Sequence, residues 1–135
     1  MNRIDAPMRL EHTAIWTRDL EPLRAFYEQY FGAVASPLYE SRSRIGFSSR
    51  FLTFPDGGAR LELMSVAGLS GARTGAAAGY AHLAVAVGSR AAVDALTARM
   101  RGDGVRIHGL PRETGDGYYE SVVADPDGNL VEITA

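Results

Sequence analysis

His12 and His82 stand 70 residues apart in this 135-residue chain, and Glu62 and Glu132 are separated by the same interval. Each lies in a short apolar run that reads as a β-strand: L-E-H-T-A-I-W, R-L-E-L-M, A-H-L-A-V-A-V and L-V-E-I-T. One offset shared by two imidazoles and two carboxylates points to a duplicated module, in which each copy contributes one nitrogen and one oxygen donor. Two nitrogen and two oxygen donors converging on a point would make a divalent-metal site.

The interval recurs around these residues. Asp19 can cap a helix whose apolar positions are Leu20, Leu23, Phe26, Tyr27, Tyr30 and Phe31, with Pro22 tolerated in the first turn and Gly32 as the stop. Seventy residues on, Ser89 can cap a second helix with Val93, Leu96 and Met100 as its stripe and Gly102 as its stop. Three strands are expected after each helix, near 33–40, 47–54 and 59–65, and near 105–112, 118–124 and 129–134. P-D-G-G (55–58) and P-D-G-N (126–129) turn the last two strands of each set, since Pro presets φ, Asp bonds the backbone and Gly takes positive φ. The expected fold is α+β, a single domain of two β-α-β-β-β modules. Module one covers about 8–65 and module two about 80–135, joined by a Gly/Ala-rich linker at 66–79.

Strand parity then separates two faces. Leu61 and Leu63 point one way and Glu62 the other; Val131 and Ile133 oppose Glu132; His82 alternates with Ala81 and Leu83. With the aliphatic face beneath the helices, the carboxylates occupy the opposite, concave face. A solitary strand histidine is most often a hydrogen-bonded polar residue, and a Glu between leucines most often marks a solvated face. The shared offset favours the metal reading, because ligand-type residues recur at equivalent positions in both halves.

The bulk numbers narrow the field. Hydrophobic content of 46%, charged content of 22% and a net charge of −2 fit a globular domain and give no electrostatic footprint for nucleic acid or an anionic membrane. The absence of cysteine removes disulfides, thiolate metal sites and a cysteine nucleophile, and fits a reducing compartment. No apolar stretch approaches a membrane span, and the N-terminus lacks the apolar run of a signal peptide, so a cytoplasmic protein is expected.

R-L-E-H-T-A-I-W, F-Y-E-Q-Y-F-G-A, L-E-L, A-H-L-A-V and D-P-D-G-N-L-V-E-I together resemble the vicinal oxygen chelate superfamily, and more closely its glyoxalase I (lactoylglutathione lyase) branch, from about Met8 to Thr134. The order His, Glu, His, Glu is the more specific part. The ring-cleaving dioxygenases and fosfomycin-resistance enzymes of that superfamily typically use two His and one Glu. The resemblance implies a curved, mixed eight-stranded sheet around one divalent ion (Ni²⁺, Co²⁺, Zn²⁺ or Mn²⁺), often completed by a homodimer. It implies His12, Glu62, His82 and Glu132 as ligands and a small oxygenated molecule as substrate. Glu132 and Glu62 are then the candidates to carry a proton between neighbouring carbons through an enediolate, with Glu132 favoured as base.

The resemblance departs at two positions. Trp16 stands where glyoxalase I proteins commonly carry an arginine for the glutathione γ-glutamyl carboxylate, and Met64-Ser65-Val66 stands where they carry an asparagine. Both departures count against the glutathione hemithioacetal of methylglyoxal as natural substrate. Two other functions compete: an antibiotic-resistance enzyme adding a thiol or opening a ring, and a metal-free binder of hydrophobic compounds. Among further residues, Glu120 is a second acid or base if it faces the cavity, although an exposed or hydrogen-bonded role is commoner. Arg44 and Arg50 could hold an anionic group, Trp16 and Phe54 could line a pocket although core packing is the commoner role, and His108 is expected to face solvent. T-G-D-G-Y-Y (114–119) could be a mobile flap but lacks the helix a phosphate loop requires.

Overall fold

The computed structural model describes residues 7–71 and 75–135; residues 1–6, and residues 72–74 of the expected linker, lie outside the described residues. The chain divides into two compact units, Met1–Leu69 and Ser70–Ala135.

The first unit runs β1 (His12–Trp16), α1 (Leu20–Phe31), β2 (Val34–Ala35), β3 (Tyr39–Glu40), β4 (Ser48–Thr53) and β5 (Arg60–Ser65). Its sheet has the order β1-β5-β4-β2, with β3 also pairing β4. The second unit runs β6 (His82–Ala86), α2 (Arg90–Gly102), β7 (Ile107–Glu113), β8 (Tyr119–Ala124) and β9 (Leu130–Thr134), in the sheet order β6-β9-β8-β7. In both sheets the first and last strands pair in parallel and the other neighbours are antiparallel. The expected α+β class and β-α-β-β-β order are both present.

The described residues hold nine strands rather than eight, because the stretch expected as one strand over 33–40 is split by Ser36-Pro37-Leu38. Pro37 has no N–H to give the ladder. Ser36 repairs the break: its N–H donates to the Phe51 carbonyl (2.8 Å) and its hydroxyl accepts from the Phe51 N–H (2.8 Å).

Helix α1 has the expected ends. The Asp19 carboxylate accepts the Glu21 N–H at 3.2 Å, and Gly32 adopts φ 68°, the left-handed conformation that closes a helix. Helix α2 starts at Ser89, whose hydroxyl accepts the Ala92 N–H at 3.1 Å. Its end departs from expectation. Gly102 is its last helical residue, not its stop; Asp103 caps it, and the positive φ falls on Gly104 at 87°.

The aliphatic faces pack as parity requires. Leu23 and Tyr27 of α1 are buried with Leu52, Leu61 and Leu63 of β4 and β5; Val93 and Met100 of α2 are buried with Val123, Val131 and Ile133. On α2 the buried stripe passes through Thr97, while Leu96 is only half-buried. The Thr97 hydroxyl is 2.6 Å from the Val93 carbonyl and 2.7 Å from the Ser121 hydroxyl, so this buried polar pair is satisfied. Among the described residues no helix is long and apolar enough to cross a membrane.

Both Pro-Asp-Gly turns are exposed, but a buried aspartate anchors the second. Asp125, just before Pro126, is buried, and its carboxylate accepts the N–H groups of Asp127 and Asn129 (both 3.0 Å) and the Asn129 side-chain amide (2.9 Å). Asp56 is exposed and receives the Gly58 N–H at 2.9 Å. Asp125→Ala should therefore cost about 1–3 kcal/mol in urea unfolding, with Asp56→Ala costing clearly less. Leu63→Ala, which empties a fully buried site, should cost about 2–5 kcal/mol by the same measurement.

Candidate metal centre

Two histidine–glutamate pairs form, one in each unit. In the first sheet Ala14 lies across from Glu62, and His12, two residues earlier on the same face, brings Nε2 to 3.6 Å from Glu62 Oε1. In the second, Ala84 lies across from Glu132, and His82 brings Nε2 to 3.2 Å from Glu132 Oε1. The offset of the sequence is thus an identity of register: His12 faces Arg60 as His82 faces Leu130, and Trp16 faces Met64 as Ala86 faces Thr134. The small residue opposite each carboxylate belongs to the repeat too, as H-x-A in both copies. That signal was present in the sequence and unused.

The pairs suit a cation. Ligands about 2.1 Å from a metal sit about 3.0 Å apart at right angles and about 3.4 Å apart at the tetrahedral angle, against 3.2 Å for the second pair and 3.6 Å for the first. Each pair offers one imidazole nitrogen and one carboxylate oxygen, a donor set accepted by Ni²⁺, Co²⁺, Zn²⁺ and Mn²⁺ alike. The pairs belong to different units. Among the described residues no group of three or more His, Cys, Asp or Glu side chains is gathered in a form that could hold a metal ion.

The surroundings of the two pairs differ. His12 Nδ1 lies 3.6 Å from Glu11 Oε1, and its ring meets Phe51 edge-on at 5.2 Å between centroids. Phe51 faces Glu62 across β4 and β5 and also carries the Arg60 guanidinium 4.2 Å over its ring. The hydrogen bond from Arg60 holds the Glu11 carboxyl below the usual carboxylate range, against partial desolvation. A carboxylate behind a ligand imidazole fixes its orientation and tautomer. Sequence reasoning missed Glu11, Phe51 and Arg60, since their convergence depends on the pairing of β1, β5 and β4.

Beside the second pair stands Glu120, half-buried on β8. Val122 faces Glu132, and Glu120, two residues away, shares the Glu132 face. A hydrogen bond with Glu132 pushes the Glu120 carboxyl up from its ordinary value, helped by desolvation and by the charge of Glu132. Glu120 is thus hydrogen-bonded, on the face that carries Glu132.

The other candidates separate clearly. Arg50 lies on the helix side, 3.1 Å from Glu21 Oε1 and donating to the Ser36 carbonyl at 2.9 Å. Trp16, expected in the core, is 44% exposed, because its parity puts it on the His12 face. Phe54 is half-buried and His108 exposed. Residues 114–118 form the β7–β8 hairpin turn, in which the Thr114 hydroxyl accepts the Tyr118 N–H at 3.1 Å, and Tyr119 begins β8.

A carboxyl whose pKa rises on folding costs stability above its usual range and not below it. In chelator-treated protein, Glu120→Gln should therefore raise the thermal midpoint at pH 7, and the gain should vanish as pH falls below the ordinary carboxylate value of 4.5. Thermal melts from pH 3 to 8 check both parts.

Known proteins share this arrangement of strands and helices. The family model for the Glyoxalase/Bleomycin resistance protein/Dioxygenase superfamily matches residues 9–133. Glyoxalase I from Zea mays superposes with a TM-score of 0.76 at 22% identity, covering 93% of this chain; the present chain spans only 44% of the maize protein. The trypanothione-dependent glyoxalase I of Leishmania major gives 0.74 at 26% identity, over 95% of this chain and 86% of that one. A glyoxalase/bleomycin resistance protein/dioxygenase domain from Frankia sp. EAN1pec gives 0.80 at 18% identity, over 96% and 98%. A search of curated proteins finds no significant match. With a match over nearly its whole length and the duplicated fold to go with it, this chain belongs to the Glyoxalase/Bleomycin resistance protein/Dioxygenase superfamily.

Proposed function

We propose that this protein is a metal-dependent lyase or isomerase of glyoxalase I type, moving a proton between adjacent carbons of a small oxygenated substrate. The observation that carries the reading is the repeated His–Glu pair, set at the same register in both units with donor separations of 3.6 and 3.2 Å. Glyoxalase I proteins among its structural neighbours support the same reaction class. His12, Glu62, His82 and Glu132 are the proposed ligands of one divalent ion (Ni²⁺, Co²⁺, Zn²⁺ or Mn²⁺), in a homodimer.

When bound, such a cation polarises a substrate carbonyl and makes the neighbouring C–H acidic. Glu132 takes that proton and Glu62 is its counterpart on the other carbon, each acting at a carboxylate oxygen. Glu11 and Phe51 hold the His12 ring steady. The Glu120 carboxyl, hydrogen-bonded to Glu132 and itself pushed up, stands beside that carboxylate as a second acid–base group. Trp16 and Met64 stand where a glutathione grip would be expected, so a thiol adduct other than that of glutathione is the proposed substrate.

Chelator-treated protein titrated with Ni²⁺ or Co²⁺ should saturate at one ion per chain, and His12→Ala should abolish this uptake. At saturating cation, Glu132→Gln should lower kcat on the thiol adducts of 2-oxoaldehydes by about 10²–10⁴-fold. Absence of saturable uptake by the wild type would overturn the metal reading in favour of a metal-free binder. Unchanged kcat in Glu132→Gln would remove Glu132 as base.

A further inference from the structure

On the His12 face of the first sheet, Tyr39, Ser49, Met64 and Trp16 form one row across β3, β4, β5 and β1. The next row holds Phe51, Glu62 and Ala14, two residues along each strand and hence about 7 Å away. Phe47, just before β4, closes the first row from the side: its ring is 6.2 Å from Trp16, perpendicular to it, and 6.4 Å from Tyr39. Large apolar rings on a sheet face belong in a core or against a ligand. Trp16 and Tyr39 remain 44% and 57% exposed.

Arg44 stands over this aromatic row. Its guanidinium carbon is 5.7 Å from the Trp16 ring centre and 5.5 Å from that of Phe47. The loop that carries it is built. The Phe47 N–H donates to the Arg44 carbonyl at 3.1 Å, Gly46 takes φ 85° within that turn, and the Arg44 N–H donates to the Ser41 hydroxyl at 2.9 Å. Arg9, Arg24, Arg50, Arg60 and Arg90 each face a carboxylate. Arg44 faces none among the described residues. A guanidinium held by aromatic rings rather than by an acid keeps its N–H edge for an incoming anion, in the planar geometry that grips a carboxylate with two hydrogen bonds.

We propose that Trp16, Tyr39 and Phe47, with Arg44 over Trp16 and Phe47, form a subsite for the anionic, ring-bearing end of a small organic acid. The rings take the planar apolar part and Arg44 takes the carboxylate. The spacing of the two rows brings the other end of such a molecule to Glu62. The inference deepens the lyase reading by naming a substrate class, and it rests on that reading only for the reacting end.

Trp16 is the one tryptophan of the chain, so its fluorescence reports this subsite. Chelator-treated protein is titrated with phenylacetate, with neutral phenylacetamide and with ring-free propanoate. Phenylacetate should quench saturably, and the other two should bind roughly tenfold more weakly or worse. Arg44→Gln should bring phenylacetate to the level of phenylacetamide, with an unchanged circular dichroism spectrum. Arg44→Lys, which keeps charge but loses the stacked plane, should weaken phenylacetate several-fold and serves if the Gln variant does not fold. Equal affinity for phenylacetate and phenylacetamide, or no effect of either substitution, would overturn the subsite. Because no metal is present, failure of cation uptake leaves this result standing. Normal cation uptake without phenylacetate binding overturns the subsite alone.

Discussion

In each unit the first strand pairs in parallel with the last, β1 with β5 and β6 with β9, and the other features of the candidate centre depend on that pairing. Parallel neighbours cannot be joined by a tight turn. The helix and the intervening strands make the crossover, and the helix then covers the aliphatic side of the sheet. With Leu61 and Leu63 committed to that side, Glu62 has no choice of face, and Val131 and Ile133 fix Glu132 in the same way. A slip of one residue would put a carboxylate in the core and a leucine on the outer face. Burial therefore holds the donors in place with more force than any contact between the donors themselves.

The equivalent pairs sit in unlike surroundings. His12 is braced by an ionised Glu11 and by the edge of Phe51, with Arg60 close by. His82 and Glu132 have instead a protonation-prone neighbour in Glu120. Duplication accounts for the shared register, and divergence outside it gives the two carboxylates different acid–base company.

Much of this architecture could be read from the residues because it rests on local chemistry and on period. Asp19, Gly32 and Ser89 act at the helix ends as their side chains dictate, and strand parity at Glu62 and Glu132 follows from the leucines, valine and isoleucine around them. The misreadings arise where a neighbour in space decides. Gly102 looked like a stop, but it is the last helical residue, Asp103 caps the helix and the positive φ falls on Gly104. Thr97 lies outside the expected stripe of Val93, Leu96 and Met100, and its burial depends on Ser121 as a hydrogen-bond partner. Trp16 looked like core because it is large, whereas the face it lies on is set by its place two residues beyond Ala14. Phe51 and Arg60 gather around the first pair through strand register, which one chain of letters does not specify, whereas Glu120 was legible from its parity.

The histidine-bearing strands β1 and β6 are outermost in the sheets of their own units. Border strands are the first to fray, since one side of their backbone lacks a ladder within the sheet. Each imidazole is thus on an edge strand while its carboxylate partner sits on an inner one. An ion bridging the two would act as a rivet across the seam, so occupancy and the integrity of that margin become a single equilibrium. Amide exchange along 12–16 and 82–86 would report on it before any change in the interior.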